Sequence, residues 1–377
     1  MDKHTLDLGF FHDMLHVRLV RDGVDPASIP DKITAKMRAA LGHNDVPVEF
    51  ARDRARDIAR NQAQLERLKA LPVIEQRTPE WYAARNTLVT ASDVGQAIGK
   101  GKFGTVREFV QKKCGHDEPP PFNYSCPPLK WGTMYEPVAT ALYEDLTKQK
   151  VHEFGLLRHP TIDWFGCSPD GINDLGVALE IKCPYKRVIT RDVPEQYYIQ
   201  IQGQLEVCGI DTCDFLEVTL KEFTDEAEFL RSEGDVKGRD RNGNAIGVVV
   251  EAPAAQGFKY LYSEWGTSAH SCAEWAKSIP SPPYDRKHFY RVERYQVQRV
   301  VRDDVFIKNT LETVGDVWKK VLHYRDNKAA YDAYMSGGGS GSGSGSGSAA
   351  NKGWRRRSAP PPPAQPNWNE YAFVDSD

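Results

Sequence analysis

The sequence lacks any Cys-x-x-Cys pair among its seven cysteines, which argues against a structural zinc site. Their odd number and scattered positions (114, 126, 167, 183, 208, 213 and 272) argue against a disulfide framework, so reduced, mostly buried thiols are expected. No iron-sulfur cluster is expected on such a set. No segment approaches the roughly 20 apolar residues of a membrane span, and the opening MDKHTLDLGFFHDML has no apolar run of signal-peptide length. An intracellular protein, neither secreted nor membrane-bound, is the expectation. Excess positive charge is also absent: 49 Lys and Arg stand against 52 Asp and Glu, a net charge of -3. No global basic field announces a nucleic-acid binder, so any such contact has to come from a local patch.

What is present is an ordinary apolar fraction in 377 residues, enough for one large or two modest domains. Residues 1–77 are polar and helix-leaning, clearest at 49–71 (EFARDRARDIARNQAQLERLKAL), where Pro72 stops the helix. A domain is expected over 78–335, with its core at 79–223, where helical and strand-like periods alternate. Within it 131–149 reads as a helix and 151–159, 164–168 and 176–182 read as strands. Residues 194–209 read as a helix closed by Gly209, and 213–220 as a strand. This predicts an α/β (α+β) fold with a central mixed sheet flanked by helices. Beyond it, IGVVVE and FKYLY are strand-like runs amid loops at 224–283, 288–302 reads as strand material, and 304–334 as a helix. Residues 336–350 form a Gly/Ser linker, and 351–377 a Pro-rich tail expected to be disordered. Trp354, Trp368, Tyr371 and Phe373 in that tail suggest a short partner-binding peptide.

The chemistry concentrates in CSPDGINDLGVALEIKCP. A strand repeats every two residues, so Glu180 and Lys182 share a face, and in an apolar strand both need partners. A hairpin through the intervening turn carries Asp170 back to that face. Two carboxylates can then hold a hard divalent ion with waters, with the Ile181 carbonyl as a further ligand. Glu-x-Lys alone is a common surface ion pair; the preceding Pro-Asp-Gly and the buried flanks favour a metal site suited to phosphodiester hydrolysis. Lys182 would position water or offset charge on the phosphate. Glu136, read as an early helix residue, could reach a metal-bound water, or simply satisfy the helix dipole. Gln196, Gln200 and Gln204 line one helix face. Arg85, ahead of a Thr-Ala-Ser-Asp cap for a helix starting near Asp93, either contributes to a phosphate pocket at that helix N-terminus or is a surface ion-pair residue beside an ordinary cap. Lys182, Lys186 and Arg187, and the tail run at 355–357, form two short basic patches.

Four blocks, EWYAARNTLVTASDVG, WGTMYEPVATAL, SPDG followed by LEIKCP, and YYIQIQGQL, resemble in order the YqaJ-type viral recombinase (phage lambda exonuclease) family of PD-(D/E)XK nucleases. The resemblance implies a PD-(D/E)XK nuclease fold and a Mg²⁺-dependent (or Mn²⁺-dependent) 5′→3′ exonuclease on double-stranded DNA ends. It would supply 3′ single strands for recombination to a single-strand annealing or binding protein. By motif position, Asp170, Glu180 and the Ile181 carbonyl look like the metal ligands and Lys182 like the catalytic lysine. Glu136 and Gln200 look like supports around the attacking water and a second metal, and Arg85 and Ser92 like the 5′-phosphate pocket. The resemblance also implies a ring-shaped homotrimer. This chain departs from the pattern in its N-terminal extension, in the segment after Phe223 and in its tail. A viral, phage or prokaryotic origin fits equally.

Two other readings use the same residues. An endonuclease or RNA-directed nuclease would keep the centre but could do without a 5′-phosphate pocket. A DNA-end-binding scaffold with an idle nuclease fold could lose a ligand or the lysine, and here Asp170, Glu180 and Lys182 are all present.

Overall fold

A computed structural model describes residues 4–5, 8–41, 48–102, 104–117, 123–255, 257–284 and 286–337. Most of the Gly/Ser linker, the tail aromatics and the basic run at 355–357 lie outside the described residues. No helix among the described residues is long and apolar enough to cross a membrane.

The main sheet runs in the order Phe258–Tyr262, Ile246–Pro253, Arg286–Val301, Thr212–Glu222, Ala178–Lys182, Gly171–Asn173, Val151–His152. It is mixed: Ala178–Lys182 pairs parallel with Thr212–Glu222, while its other neighbour, Gly171–Asn173, is antiparallel. A smaller sheet joins Val89–Thr90, Phe165–Cys167 and Leu157–Arg158. Helices cover both faces, and the central strands are accordingly buried on both sides along nearly their whole length. Leu179, Ile181, Leu216 and Val218 point into a core shared with Tyr135 and Leu142 of helix Pro127–Thr147. Ala178, Cys213 and Phe215 point the other way, against Ile199 and Leu205 of helix Glu195–Cys208. That helix closes at Gly209, which is in the left-handed region as read from the sequence.

Several elements differ from their sequence reading. The stretch 151–159 is two short strands, Val151–His152 and Leu157–Arg158, because the chain between them turns to another partner. Leu156 N donates to Ile74 O at 3.0 Å, and a Cβ on Gly155 would lie 1.8 Å from that same oxygen. Only glycine admits this approach. The 304–334 helix breaks into Asp304–Asp326 and Lys328–Ser336, since the Asn327 side chain accepts from Ala330 N and starts the second helix afresh. The 224–283 segment contains helices Glu226–Ser232 and Ala269–Ser278, capped by Asp225 and Ser268, where loops were expected.

The described residues of the N-terminal extension include the α-helices Leu8–Arg21, Ile29–Leu41 and Val48–Lys69. Their attachment to the sheet is partly ionic and buried. Asp13 accepts from Arg54 Nη2 at 2.7 Å and from Arg299 Nη1 at 2.9 Å. Arg299 also donates to Asp214, whose second oxygen takes the Tyr143 hydroxyl at 2.7 Å. Burial opposes the charge on Asp13, yet Arg299, His12 and Arg54 hold its carboxyl well below the usual carboxylate range.

Candidate active site

Pro169-Asp170-Gly171 leads into the hairpin that pairs Gly171 with Leu179. Asp170 returns to the Ala178–Lys182 strand as the sequence suggests, its Oδ2 accepting from Ile181 N at 2.7 Å. Glu180 is fully buried and Lys182 retains about 26% side-chain exposure. Both lie on the face turned to helix Glu195–Cys208, as the two-residue period requires. Glu180 is held on both oxygens: Oε1 accepts from Lys182 Nζ and from Gln200 Nε2 at 2.8 Å, and Oε2 from Gln204 Nε2 at 2.7 Å. Lys182 Nζ also donates to Ile181 O at 3.0 Å. The four-residue spacing of the glutamines thus serves Glu180 twice. Gln196, the third of the row, makes no such contact.

Two carboxylates packed this closely do not share full charge comfortably. Burial and the neighbouring Glu180 push the Asp170 carboxyl well above its ordinary range, with Lys182 working against them. Burial alone would lower Lys182, but Glu180 and Asp170 outweigh it and hold the ammonium above the usual lysine range. Lys182 is therefore a fixed cation and hydrogen-bond donor, not a base at neutral pH.

The donor set suits a hard divalent ion. Among the described residues no three His, Cys, Asp or Glu side chains gather into a metal-binding group. The available oxygens are Asp170, Glu180 and the Ile181 carbonyl, a set appropriate to Mg²⁺ or Mn²⁺ retaining several waters. The crowding that lifts Asp170 is what such an ion would relieve. Gln204 Oε1 is buried without a hydrogen-bond partner and would suit a coordinated water.

Glu136 does not occupy the first turn of its helix, as 131–149 would have placed it. The helix starts at Pro127, so Glu136 is mid-helix, just before Pro137. Its carboxylate is paired with Arg77, whose Nη2 lies 3.0 and 3.3 Å from the two oxygens. Arg77 carries no signal in the sequence and was not anticipated there.

Thr78 caps helix Pro79–Asn86, its hydroxyl accepting from Trp81 N at 3.2 Å, and this sets Trp81 and Arg85 one turn apart. The Arg85 guanidinium stacks 4.3 Å from the centre of the Trp81 ring, and Nη2 donates to Ser92 Oγ at 3.1 Å. Trp81 Nε1 donates to Ser168 Oγ at 3.0 Å. The helix carrying Ser92 is Ala91–Ala97, with Thr90 as its cap and Asp93 closing the box, so it starts before the Asp93 that the sequence suggested. Beneath it Lys113, buried, donates to the Arg85 and Leu88 carbonyls and pairs with Asp93. Burial pushes Lys113 down to about 8, offset in part by Asp93. Arg77, Trp81, Arg85, Ser92, Asp170 and Gln200 line one cavity of about 190 Å³, partly open to solvent. Arg85 and Ser92 therefore share a space with Asp170, while Glu180 lies buried behind it. Of the core basic patch, Arg187 is turned to the buried Glu217.

The Pro-Asp-Gly hairpin, the Glu-Ile-Lys strand beside it and the mixed sheet between helices are the arrangement that the resemblance to PD-(D/E)XK nucleases implies. Residues 80–211 match the YqaJ-like viral recombinase domain. It is 28% identical over 233 residues to the uncharacterized protein R354 of Acanthamoeba polyphaga mimivirus, a match covering 57% of this chain. The chain spans 40% of the length of that relative. Among solved structures, the alkaline exonuclease LHK-Exo of Laribacter hongkongensis aligns with a TM-score of 0.42 and 23% identity, over 68% of this chain and 100% of its own. A phage-related exonuclease from Haemophilus somnus 129PT aligns with a TM-score of 0.36 and 13% identity, over 66% of this chain and 96% of its own.

Proposed function

We propose that the chain is a metal-dependent DNA exonuclease that degrades linear duplexes from their 5′ ends and leaves 3′ single strands for recombination. The observation that carries this reading is the single cavity in which Arg85 and Ser92 lie with Asp170, whose carboxylate meets the Glu180–Lys182 strand. A pocket for a terminal phosphate beside a hydrolytic centre is what an enzyme measuring from an end requires; an endonuclease has no such need. The YqaJ-like viral recombinase domain supports the recombination setting.

In this reading Asp170, Glu180 and the Ile181 carbonyl hold Mg²⁺ or Mn²⁺. Such an ion, when bound, polarises the scissile phosphate and acidifies a water. Gln200 and Gln204 keep Glu180 in one rotamer. Lys182 donates to oxygens that gain charge in the transition state, and its raised affinity for the proton keeps it a donor throughout. Arg85, fixed by the Trp81 face and by Ser92, binds the terminal phosphate. A single-strand annealing or binding protein is the partner that the product calls for.

The test is digestion of linear duplex DNA labelled at either end, with and without a 5′ phosphate, by wild type and Lys182→Ala in Mg²⁺. The expected result is 5′ label released first, dependent on the phosphate and lost in the variant. First release of the 3′ label overturns the polarity, and an undiminished variant overturns the centre. No cleavage in Mg²⁺ or Mn²⁺ favours the end-binding scaffold.

A further inference from the structure

Arg77 is held at φ 67, in the left-handed region where a side chain crowds its own backbone and glycine is the usual occupant. The residues on either side of it are tied down. On one side Gln76 Nε2 donates to Phe154 O at 2.8 Å and to Pro169 O at 3.2 Å, tying the segment to the residue that precedes Asp170. On the other, Thr78 Oγ1 donates to Glu75 O at 2.8 Å while also capping helix Pro79–Asn86. The result is a guanidinium set at the cavity that Arg85, Ser92 and Asp170 also line, resting on Glu136.

That resting contact does not account for the strain. The Arg77 side chain is about 49% exposed, and a solvent-screened pair of this kind contributes little to stability. Both bonds to Glu136 are made through Nη2 alone, whereas the planar fork offers five donors and suits two oxygens of one phosphate. Strained conformations of this kind persist where the surroundings fix them, and they cluster at active sites and ligand clamps.

We infer that Arg77 is a substrate-engaging residue: it rests on Glu136 and transfers its guanidinium to a phosphate oxyanion of the strand that occupies the cavity. The inference rests on the nuclease reading given above. Arg77 and Arg85 then act on the same strand, and Glu136 is released towards the acidic centre as DNA binds.

The test is anisotropy of a labelled blunt duplex, 5′-phosphorylated or 5′-hydroxyl, titrated in EDTA so that no turnover occurs, alongside melting temperatures. Arg77→Gly removes both the guanidinium and the backbone crowding. It is expected to weaken duplex binding about tenfold or more while melting no lower than wild type, with Arg77→Lys intermediate in affinity. A loss confined to the 5′-phosphorylated duplex identifies the terminal phosphate as the ligand, and a loss with both identifies an internal phosphodiester. Unchanged affinity in Arg77→Gly overturns the inference, as does a loss of affinity matched by a lower melting temperature, which is the mark of a structural ion pair. Wild type that binds neither duplex overturns this inference together with the nuclease reading, whereas wild type that binds both as tightly as Arg77→Gly overturns this inference alone.

Discussion

Gln204 donates from Nε2 to Glu180 Oε2 at 2.7 Å, and this contact completes the donor set of a carboxylate with no exposure to solvent. A buried carboxylate oxygen left without a donor bears its desolvation unrelieved. The bond therefore does two things: it stabilises the fold and it fixes the rotamer of a proposed metal ligand. Replacing Gln204 with Leu, close in volume but without the amide, should lower stability by about 1–3 kcal/mol. Urea melts with and without Mg²⁺ would measure this, and part of the loss should return with the ion. Stability equal to wild type in both conditions would show that the contact is incidental.

Asp170 gives a prediction of opposite sign. Its folded-state pKa lies above the ordinary carboxylate value, so the native state favours the neutral form and the charge works against the fold at neutral pH. Asp170→Asn removes that charge and should raise the stability of the ion-free protein by about 0.5–2 kcal/mol. The same change removes a ligand, so the rise in melting temperature on adding Mg²⁺ to wild type should vanish. For scale, an ion at a hundred times its Kd adds roughly 2.7 kcal/mol. A variant that is less stable without the ion and still responds to Mg²⁺ would contradict this assignment of Asp170.

Arg85 should carry discrimination between duplex ends. Its guanidinium is fixed by Trp81 and Ser92, and burial lowers its proton affinity without discharging it. Arg85→Gln is expected to weaken binding of a 5′-phosphorylated duplex by about 1.5–3 kcal/mol, the usual range for a charged hydrogen bond. Binding of the 5′-hydroxyl duplex should change little. Equal losses on both ends in a titration would move the terminal-phosphate site elsewhere.

The N-terminal helices should prove inseparable from the sheet, and acid should show it. Asp13 has a folded-state pKa below its unfolded value, held there by Arg299, His12 and Arg54 against burial. Its native form binds a proton more weakly than the unfolded chain does. The stabilisation is therefore present above the unfolded carboxylate pKa of about 3.9, and is lost as pH falls below it. Asp13→Asn should destabilise by about 3–5 kcal/mol at neutral pH, the usual consequence of leaving buried charge unpaired, and should flatten the acid limb of the stability curve. Equilibrium unfolding from pH 7 downwards would reveal both effects; an unaltered acid limb would remove Asp13 from the account.

Much of the centre was legible from residue order. A Pro-Asp-Gly turn ahead of an apolar Glu-Ile-Lys strand implies one face for Glu180 and Lys182 and a return for Asp170, because a strand alternates every two residues and a hairpin reverses the chain. Gln200 and Gln204 were legible as a helix face, but not as donors that join Lys182 on Glu180. The strand at 151–159 was misread because Gly155 looks like an ordinary small residue until the Ile74 carbonyl is brought against it. The helices at Glu226–Ser232 and Ala269–Ser278 are short, and their Asp225 and Ser268 caps are residue types that also populate loops.

By itself the sequence determined the kinds of chemistry available and their local geometry, since backbone sterics and periodicity act over a few residues. The tertiary structure alone decided the pairings across the chain: Arg77 with Glu136, 59 positions apart, and Asp13 with Arg299, 286 apart. Such contacts depend on how helices and sheet close over one another, and nothing in the local pattern of charged residues distinguishes a partner from a bystander. For the same reason Arg77, which carries no signal in the sequence, emerges as a cation at the cavity of the site.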